Sequence, residues 1–203
     1  MKLLGGKLSC TIAAAGLLDT LPLAALAQSP KNSINLAVAA LPGIGDLKAT
    51  VVMVEYERLV SQKLSVYGRG STLKYKFDDN TDVEDGKGTG LGVGVRFFPQ
   101  GGLKGFYVGG GLSSFKSKWD WTSDKGKSFQ TQGKGETTSI QWGGEVGYRF
   151  NLGSERVSLT PALNLGSWLG GDNKCTNANG TACSKESELG FYAVISVALG
   201  FAF

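Results

Sequence analysis

The amino-acid sequence predicts an all-β protein, an eight-stranded antiparallel up-and-down transmembrane β-barrel with short periplasmic turns and longer extracellular loops. Three observations predict this fold. Residues 188–203 alternate between apolar side chains and small or polar ones, as in a strand with one apolar face. The same segment is longer than the roughly 9–11 tilted residues that cross a bilayer. Short and long polar connections alternate along the chain, which is typical of membrane barrels.

The alternation predicts eight strands in order, beginning after Ser33. They cover residues 34–41, 47–60, 64–77, 90–98, 106–121, 139–152, 157–169 and 188–203. The connections at 61–63, 99–105 and 153–156 are short, whereas those at 78–89, 122–138 and 170–187 are longer and polar. Because short turns of such barrels face the periplasm and the strand number is even, both chain ends are expected on the periplasmic side.

The sixth predicted strand separates apolar from polar side chains by parity, with Ile140 and Trp142 on one face and Glu145 and Arg149 on the other. A membrane barrel turns the apolar face to lipid and the polar face to the lumen. The same parity places six charged residues inside: Glu55, Glu57, Arg69, Arg96, Glu145 and Arg149.

We expect these six residues to form a salt-bridge network that fills the barrel. Eight strands enclose an interior just wide enough for side chains, and arginine pairs with a carboxylate through two parallel hydrogen bonds. A charged constriction that passes ions is the alternative interpretation.

Aromatic residues cluster near both ends of the predicted strands. The periplasmic set is Tyr56, Phe97, Phe98, Tyr148, Phe150, Phe201 and Phe203, and the outer set is Tyr75, Phe77, Trp119, Trp121 and Trp168. Aromatic girdles at the two membrane interfaces explain this distribution. Ordinary packing inside the barrel is the alternative for any single ring.

Residues 1–27 are expected to be a signal peptide, and residues 28–203 the barrel domain. Lys2 and Lys7 precede an apolar stretch, and Ala25-Leu26-Ala27 resembles a cleavage site. In an exported protein, Cys175 and Cys183 are expected to form a disulfide that pins a surface loop. The formal net charge of +4 is too small and dispersed to indicate nucleic-acid binding.

The sequence offers no catalytic constellation. It contains no histidine, so a Ser-His-Asp/Glu arrangement cannot be built, and no cofactor is predicted. Two cysteines without a histidine do not make a zinc site. The acidic segment 78–86 departs from a calcium loop, because Val83 stands where glycine is needed and Thr89 where a bidentate glutamate is needed. We therefore expect a protein that is not an enzyme and holds no metal.

The strand pattern, the Glu55-Tyr56-Glu57-Arg58 segment and the Phe201-Ala202-Phe203 terminus resemble the small eight-stranded outer-membrane barrels of the OmpA/OmpX/OmpW type in Gram-negative bacteria. The resemblance spans residues 33–203. It implies an integral outer-membrane location, with outer-membrane lipid and lipopolysaccharide as neighbours. It also implies that Phe203 is part of the signal recognised by the barrel-assembly machinery.

These features favour a structural or surface-interaction role: envelope integrity, adhesion, or contact with an extracellular ligand or host surface through the loops. Lysines in and beside the connection 122–138 could meet lipopolysaccharide phosphates; they are Lys116, Lys118, Lys125, Lys127 and Lys134. A porin-like narrow channel or carrier for small solutes is the first alternative. A soluble exported lipocalin-like barrel is the second, and it would require an apolar lumen and a polar exterior.

Overall fold

The computed structural model describes residues 30–41, 47–183 and 190–203, so the predicted signal peptide lies outside the described residues. The described chain forms strands β1 (Asn32–Leu41), β2 (Leu47–Leu59), β3 (Leu64–Asp78), β4 (Val83–Phe97), β5 (Gly105–Ser123), β6 (Thr131–Asn151), β7 (Val157–Asn177), β8 (Ala182–Cys183) and β9 (Phe191–Ala202). In these ranges no helix is long and apolar enough to cross a membrane.

The eight long strands close into an antiparallel barrel. Each strand from β1 to β7 pairs with the next, β7 pairs with β9, and β9 returns to β1. The two-residue β8 extends β7 as a short hairpin. Closure gives every long strand two neighbours, which removes the exposed edges that an open sheet would present. The predicted up-and-down barrel is confirmed.

Three strands extend much further outward than the sequence predicts, whereas β3 and β5 exceed their predicted outer ends only slightly. β4 begins at Val83, β6 begins at Thr131, and β7 continues to Asn177. These extensions have polar outward side chains, a composition that is also typical of loops, and this explains the difference in boundaries. Two outer connections lie wholly within the described residues and join consecutive long strands, 79–82 and 124–130. We call the strand segments 73–78, 83–89, 115–123, 131–138 and 171–177 the outer extension.

The polarity of the barrel reverses along its axis. In the lower part the outward side chains are apolar and exposed, such as Leu36, Leu91 and Ile195, which is the arrangement that a lipid environment requires. In the outer extension the outward positions carry lysines such as Lys74 and Lys87, and the inward positions carry aromatic rings. The lower part therefore fits a membrane, and the outer extension fits water.

The predicted outer aromatic girdle is wrong. Its five residues have inward parity, and Trp119 is buried, with its indole Nε1 donating a hydrogen bond to Thr137 Oγ1 at 3.1 Å. The strands continue beyond the apolar belt, so rings near their outer ends pack inside the extension. On the periplasmic side the predicted set does face outward, apart from Phe98, which is fully buried.

Cys175 and Cys183 form a disulfide across the β7–β8 hairpin, with a Cα–Cα distance of 5.1 Å. They are also a paired position in the sheet. The cross-link therefore constrains the end of the outer extension and lies away from the membrane-facing belt.

Replacing both cysteines with serine is expected to loosen this hairpin and leave the barrel intact. A loop this short gains roughly 2–3 kcal/mol at most from a cross-link in the chain-entropy model. Limited proteolysis should cut the double variant faster near residues 178–181, while migration of the folded barrel on gels stays unchanged. Two thiols that react in the unreduced wild-type protein would contradict the disulfide.

Candidate functional site

The six charged residues predicted for the lumen lie on inward positions of four strands. Strand β2 supplies two of them, β3 and β4 one each, and β6 two: Glu55, Glu57, Arg69, Arg96, Glu145 and Arg149. The pairing of β2 with β3 is regular through Glu55 and Arg69, so no bulge turns Arg69 outward. The structure brings all six into one cluster, which we call the lumen cluster.

Arg96 lies at the centre of the lumen cluster. Its Nη1 and Nη2 donate to the two carboxylate oxygens of Glu55 at 2.5 and 2.9 Å. Its Nε donates to Glu145 Oε1 at 2.6 Å, and its Nη1 lies 3.1 Å from Glu57 Oε2. One guanidinium therefore joins three carboxylates, and its side chain is only 6% exposed.

The other two arginines complete the charge balance. Arg149 Nη2 donates to Glu57 Oε2 at 2.6 Å, and Arg69 Nη2 lies 3.3 Å from Glu55 Oε2 and 3.4 Å from Glu145 Oε2. Ser65 Oγ donates to Glu57 Oε1 at 2.6 Å. With three carboxylates and three guanidiniums, the cluster carries no net charge. This matters because an unpaired charge buried in the lumen would be strongly unfavourable.

Aromatic rings pack against the guanidinium groups of the arginines, a feature that the sequence did not lead us to predict. The guanidinium carbons of Arg69 and Arg96 lie 4.2 and 4.4 Å from the centre of the Tyr67 ring. Tyr67 pairs with Gly94, and Gly94 with Gly111. A Cβ at Gly111 would lie 2.8 Å from the Tyr67 hydroxyl, so these glycines make room for the ring. The signal in the sequence was the glycine at every inward position of β4 from residue 86 to residue 94, which indicated that neighbouring strands carry large inward side chains.

The periplasmic end of the lumen holds a cluster of buried apolar side chains below the lumen cluster. Its buried members are Phe98, Leu103, Tyr107 and Ala162. The rings of Phe98 and Tyr107 are 5.2 Å apart, and the guanidinium of Arg149 lies over Phe98 at 5.4 Å. Two cavities that border the cluster measure about 30 and 40 Å³, volumes suited to single water molecules.

The outer extension and the connection 79–82 have polar contacts of their own. Burial and the 2.6 Å hydrogen bond that Tyr75 donates to Glu84 raise the pKa of Tyr75. The Lys116 ammonium, 2.7 Å from Glu136, lowers the pKa of the Glu136 carboxyl. Backbone amides of Asp82 and Thr81 donate to the Asp79 carboxylate and lower its pKa.

The predicted lysines divide between the outer extension and the connection 124–130 beyond it. Lys116, Lys118 and Lys134 lie on outward positions of β5 and β6, while Lys125 and Lys127 lie in the connection 124–130. Among the described residues, no group of three or more acidic or cysteine side chains is arranged to hold a metal ion.

A closed barrel with an apolar outer belt and a charged lumen defines an integral membrane β-barrel, a class that bacteria place in the outer membrane. The lipocalin-like alternative is excluded, because its lumen would be apolar. No family model matches the sequence, and no curated protein matches it.

Solved structures match the fold over most of the chain. The Ail attachment invasion locus protein of Yersinia pestis is 13% identical with a TM-score of 0.53, over 87% of this chain and 100% of that chain. A major outer membrane protein of Thermus thermophilus is 12% identical with a TM-score of 0.54, over 85% and 99%. OprG of Pseudomonas aeruginosa is 14% identical with a TM-score of 0.50, over 87% and 97%. At the level of the fold, the chain is a small outer-membrane β-barrel, as predicted.

Proposed function

We propose that this protein is a non-conducting outer-membrane barrel with a structural and surface-interaction role. The observation that carries the proposal is Arg96, which joins three carboxylates across the middle of the lumen. In this proposal, the network without net charge and the apolar cluster at the periplasmic end together close the lumen to ions. The lumen cluster then acts as a fixed brace that ties β2, β3, β4 and β6 together from inside.

The proposed surface role belongs to the outer extension. It is a rigid set of paired strands with charged outward side chains, and binding functions are commonly carried by parts that such a scaffold holds in place. Envelope integrity, adhesion, or contact with an extracellular ligand or host surface would each use this part of the chain. No catalytic step is included in the proposal.

Conductance of the purified protein in planar bilayers tests the closed lumen. We expect no steady conductance from the wild-type barrel. The double variant Arg69→Ala/Glu145→Ala removes one positive and one negative charge, so the cluster stays neutral while space opens beside Tyr67. It should conduct in bursts if the cluster is the barrier. Steady conductance of the wild-type protein would instead support the narrow-channel alternative.

We also propose that Phe203 is part of the assembly signal for the barrel-assembly machinery. The Asn32 amide donates to the Phe203 carbonyl at 3.0 Å, and the Phe203 amide donates to the Asn32 carbonyl at 2.8 Å. Phe203 therefore lies at the seam where β9 meets β1. Phe203→Ala should reduce the amount of barrel in the outer membrane severalfold in cells, but leave folding of purified protein in detergent unchanged. Phe191→Ala, which removes another exposed ring from β9, is the control. A similar loss in both variants would refute the signal.

A further inference from the structure

An open groove of about 690 Å³ lies on the outer surface of strands β2 to β5. Val52, Val54 and Leu91 provide its apolar walls. Gly70 lies between Val54 and Leu91 in the register of the sheet. Because it has no side chain, its backbone forms the floor of the groove. The groove volume lies within the range of about 300–1,000 Å³ that is usual for ligand sites.

Two outward glycines on β3 have no packing role within the described structure. A Cβ built on Gly68 would meet no atom within 4 Å, and one on Gly70 would meet only Leu91, at 3.9 Å. The inward glycines Gly86, Gly90 and Gly94 of β4 differ, because aromatic rings fill the space beside them. Glycine weakens a strand, and it often marks a position where a ligand approaches closely.

The upper rim of the groove is polar. Thr72, Thr89 and Lys116 stand side by side across β3, β4 and β5, and all three line the groove. This row lies where the outward side chains change from apolar to charged, the level at which lipid headgroups meet water. A lipid whose chain entered the groove from below would therefore have its headgroup at this rim.

Three lysines stand in register directly above this rim. Lys74 pairs with Lys87, and Lys87 pairs with Lys118, all on the outward face. Like charges directly opposite each other destabilise a sheet, so the row weakens the barrel unless an anion lies against it. Neither Lys74 nor Lys87 forms an ion pair within the described residues. Lys118 shares Glu136 with Lys116, at 3.6 and 2.7 Å.

We propose that β2 to β5 carry a binding site for a phosphorylated lipid of the outer leaflet. One acyl chain lies in the groove over Gly70, and the phosphates meet the row Lys74, Lys87 and Lys118. Neighbouring strands are about 4.8 Å apart, so three strands spread the positive charge over about 10 Å, enough for more than one phosphate. Lys116 and the two threonines of the rim face the linkage between chain and phosphate.

The two parts of the site contribute differently. In a bilayer the chain is already surrounded by apolar groups, so the groove adds packing contacts rather than a hydrophobic driving force. The lysines supply most of the affinity, and the groove makes the site selective for an acylated anion. The site lies outside the barrel wall, so it does not depend on whether the lumen conducts.

The test measures binding of purified lipopolysaccharide to the mature protein folded in neutral detergent. The variant Lys74→Gln/Lys87→Gln/Lys118→Gln should bind at least tenfold more weakly, since each lysine near an anionic surface contributes about fivefold, or about 1 kcal/mol. Lys134→Gln, another outward lysine, is the control and should bind as the wild type does. Equal affinity of the triple variant and this control would overturn the proposal.

A groove-filling variant tests the acyl-chain part. Gly70→Leu places a side chain in open space and should weaken lipopolysaccharide binding about threefold, whereas Gly144→Leu, at an outward glycine of β6, should not. Deacylated lipopolysaccharide should bind more weakly than the intact lipid and be insensitive to Gly70→Leu. If the deacylated form binds as tightly as the intact one, the partner is a soluble polyanion and the lipid site is refuted.

A third measurement uses the wild-type protein alone and needs no variant to fold. Affinity for lipopolysaccharide should fall steeply as salt rises, because the lysines are exposed and screened. Phosphatidylglycerol, with a single phosphate, should compete only weakly, and zwitterionic phosphatidylcholine should not compete. Affinity that does not change with salt would refute the lysine row as the headgroup site.

Discussion

Replacing Arg96 with methionine is expected to lower the free energy of unfolding by about 3–5 kcal/mol, because the change leaves buried carboxylates without their shared partner. Among the described residues, Glu55 and Glu145 would keep Arg69 as their only positively charged partner, at 3.3 and 3.4 Å, and Glu57 would keep Arg149. Three negative charges would then face two positive ones in a space from which water is largely excluded. Methionine fills similar volume, so the loss would come from charge rather than from a cavity.

Urea-driven unfolding in detergent, followed by gel migration of unboiled samples, measures this loss. Lys104→Met is the matched control, since Lys104 pairs with Glu155 at 3.1 Å but both side chains are about half exposed. Exposed pairs of this kind contribute up to about 1 kcal/mol. Adding Glu145→Gln to the Arg96 variant should recover part of the stability. Equal effects of the Arg96 and Lys104 changes would mean that the lumen cluster is well hydrated and does not brace the barrel.

The identity of the lumen residues could be predicted because parity alone decides which side of the wall a strand residue faces. Once Glu145 and Arg149 were assigned inward, the same rule assigned Glu55 and Arg96 on other strands. The contacts between them could not be predicted. Arg96 meets Glu55 across the lumen, although their strands are not neighbours, and that distance depends on the stagger and tilt of the closed barrel.

The outer extension was the main feature that sequence reasoning did not reach. Lys87 and Lys134 lie in segments that the sequence predicted to be loops, because charged stretches between apolar strands usually form loops. The inward parity of Trp119 and Trp121 was available in the sequence, but the girdle interpretation considered only their position along the strand. In a strand that leaves the bilayer, water replaces lipid outside, so apolar side chains turn inward while the alternation continues unbroken.

A second large effect is expected at Gly94, where leucine should prevent most of the chain from reaching the folded barrel. Gly94 faces the lumen beside the Tyr67 ring, and a Cβ there would lie 2.5 Å from the backbone oxygen of Gly110. Overpacking usually costs about 1–3 kcal/mol, but here the first added atom already meets fixed backbone. Moving Tyr67 would also remove the ring on which Arg69 and Arg96 rest.

Gly68→Leu provides the matched comparison, because it adds the same side chain to the outward face of a neighbouring strand, where a Cβ meets nothing within 4 Å. The fraction of heat-modifiable barrel after refolding in detergent should stay near the wild-type value for Gly68→Leu. For Gly94→Leu only a small fraction of the protein should form this barrel. The reverse order would mean that β3 and β4 present the opposite faces to the lumen. The barrel wall is a single layer of strands, so neighbouring residues of one strand face lipid and lumen in turn. A side chain added at an outward glycine therefore fills open space, whereas one added at an inward glycine such as Gly94 displaces the arginines inside.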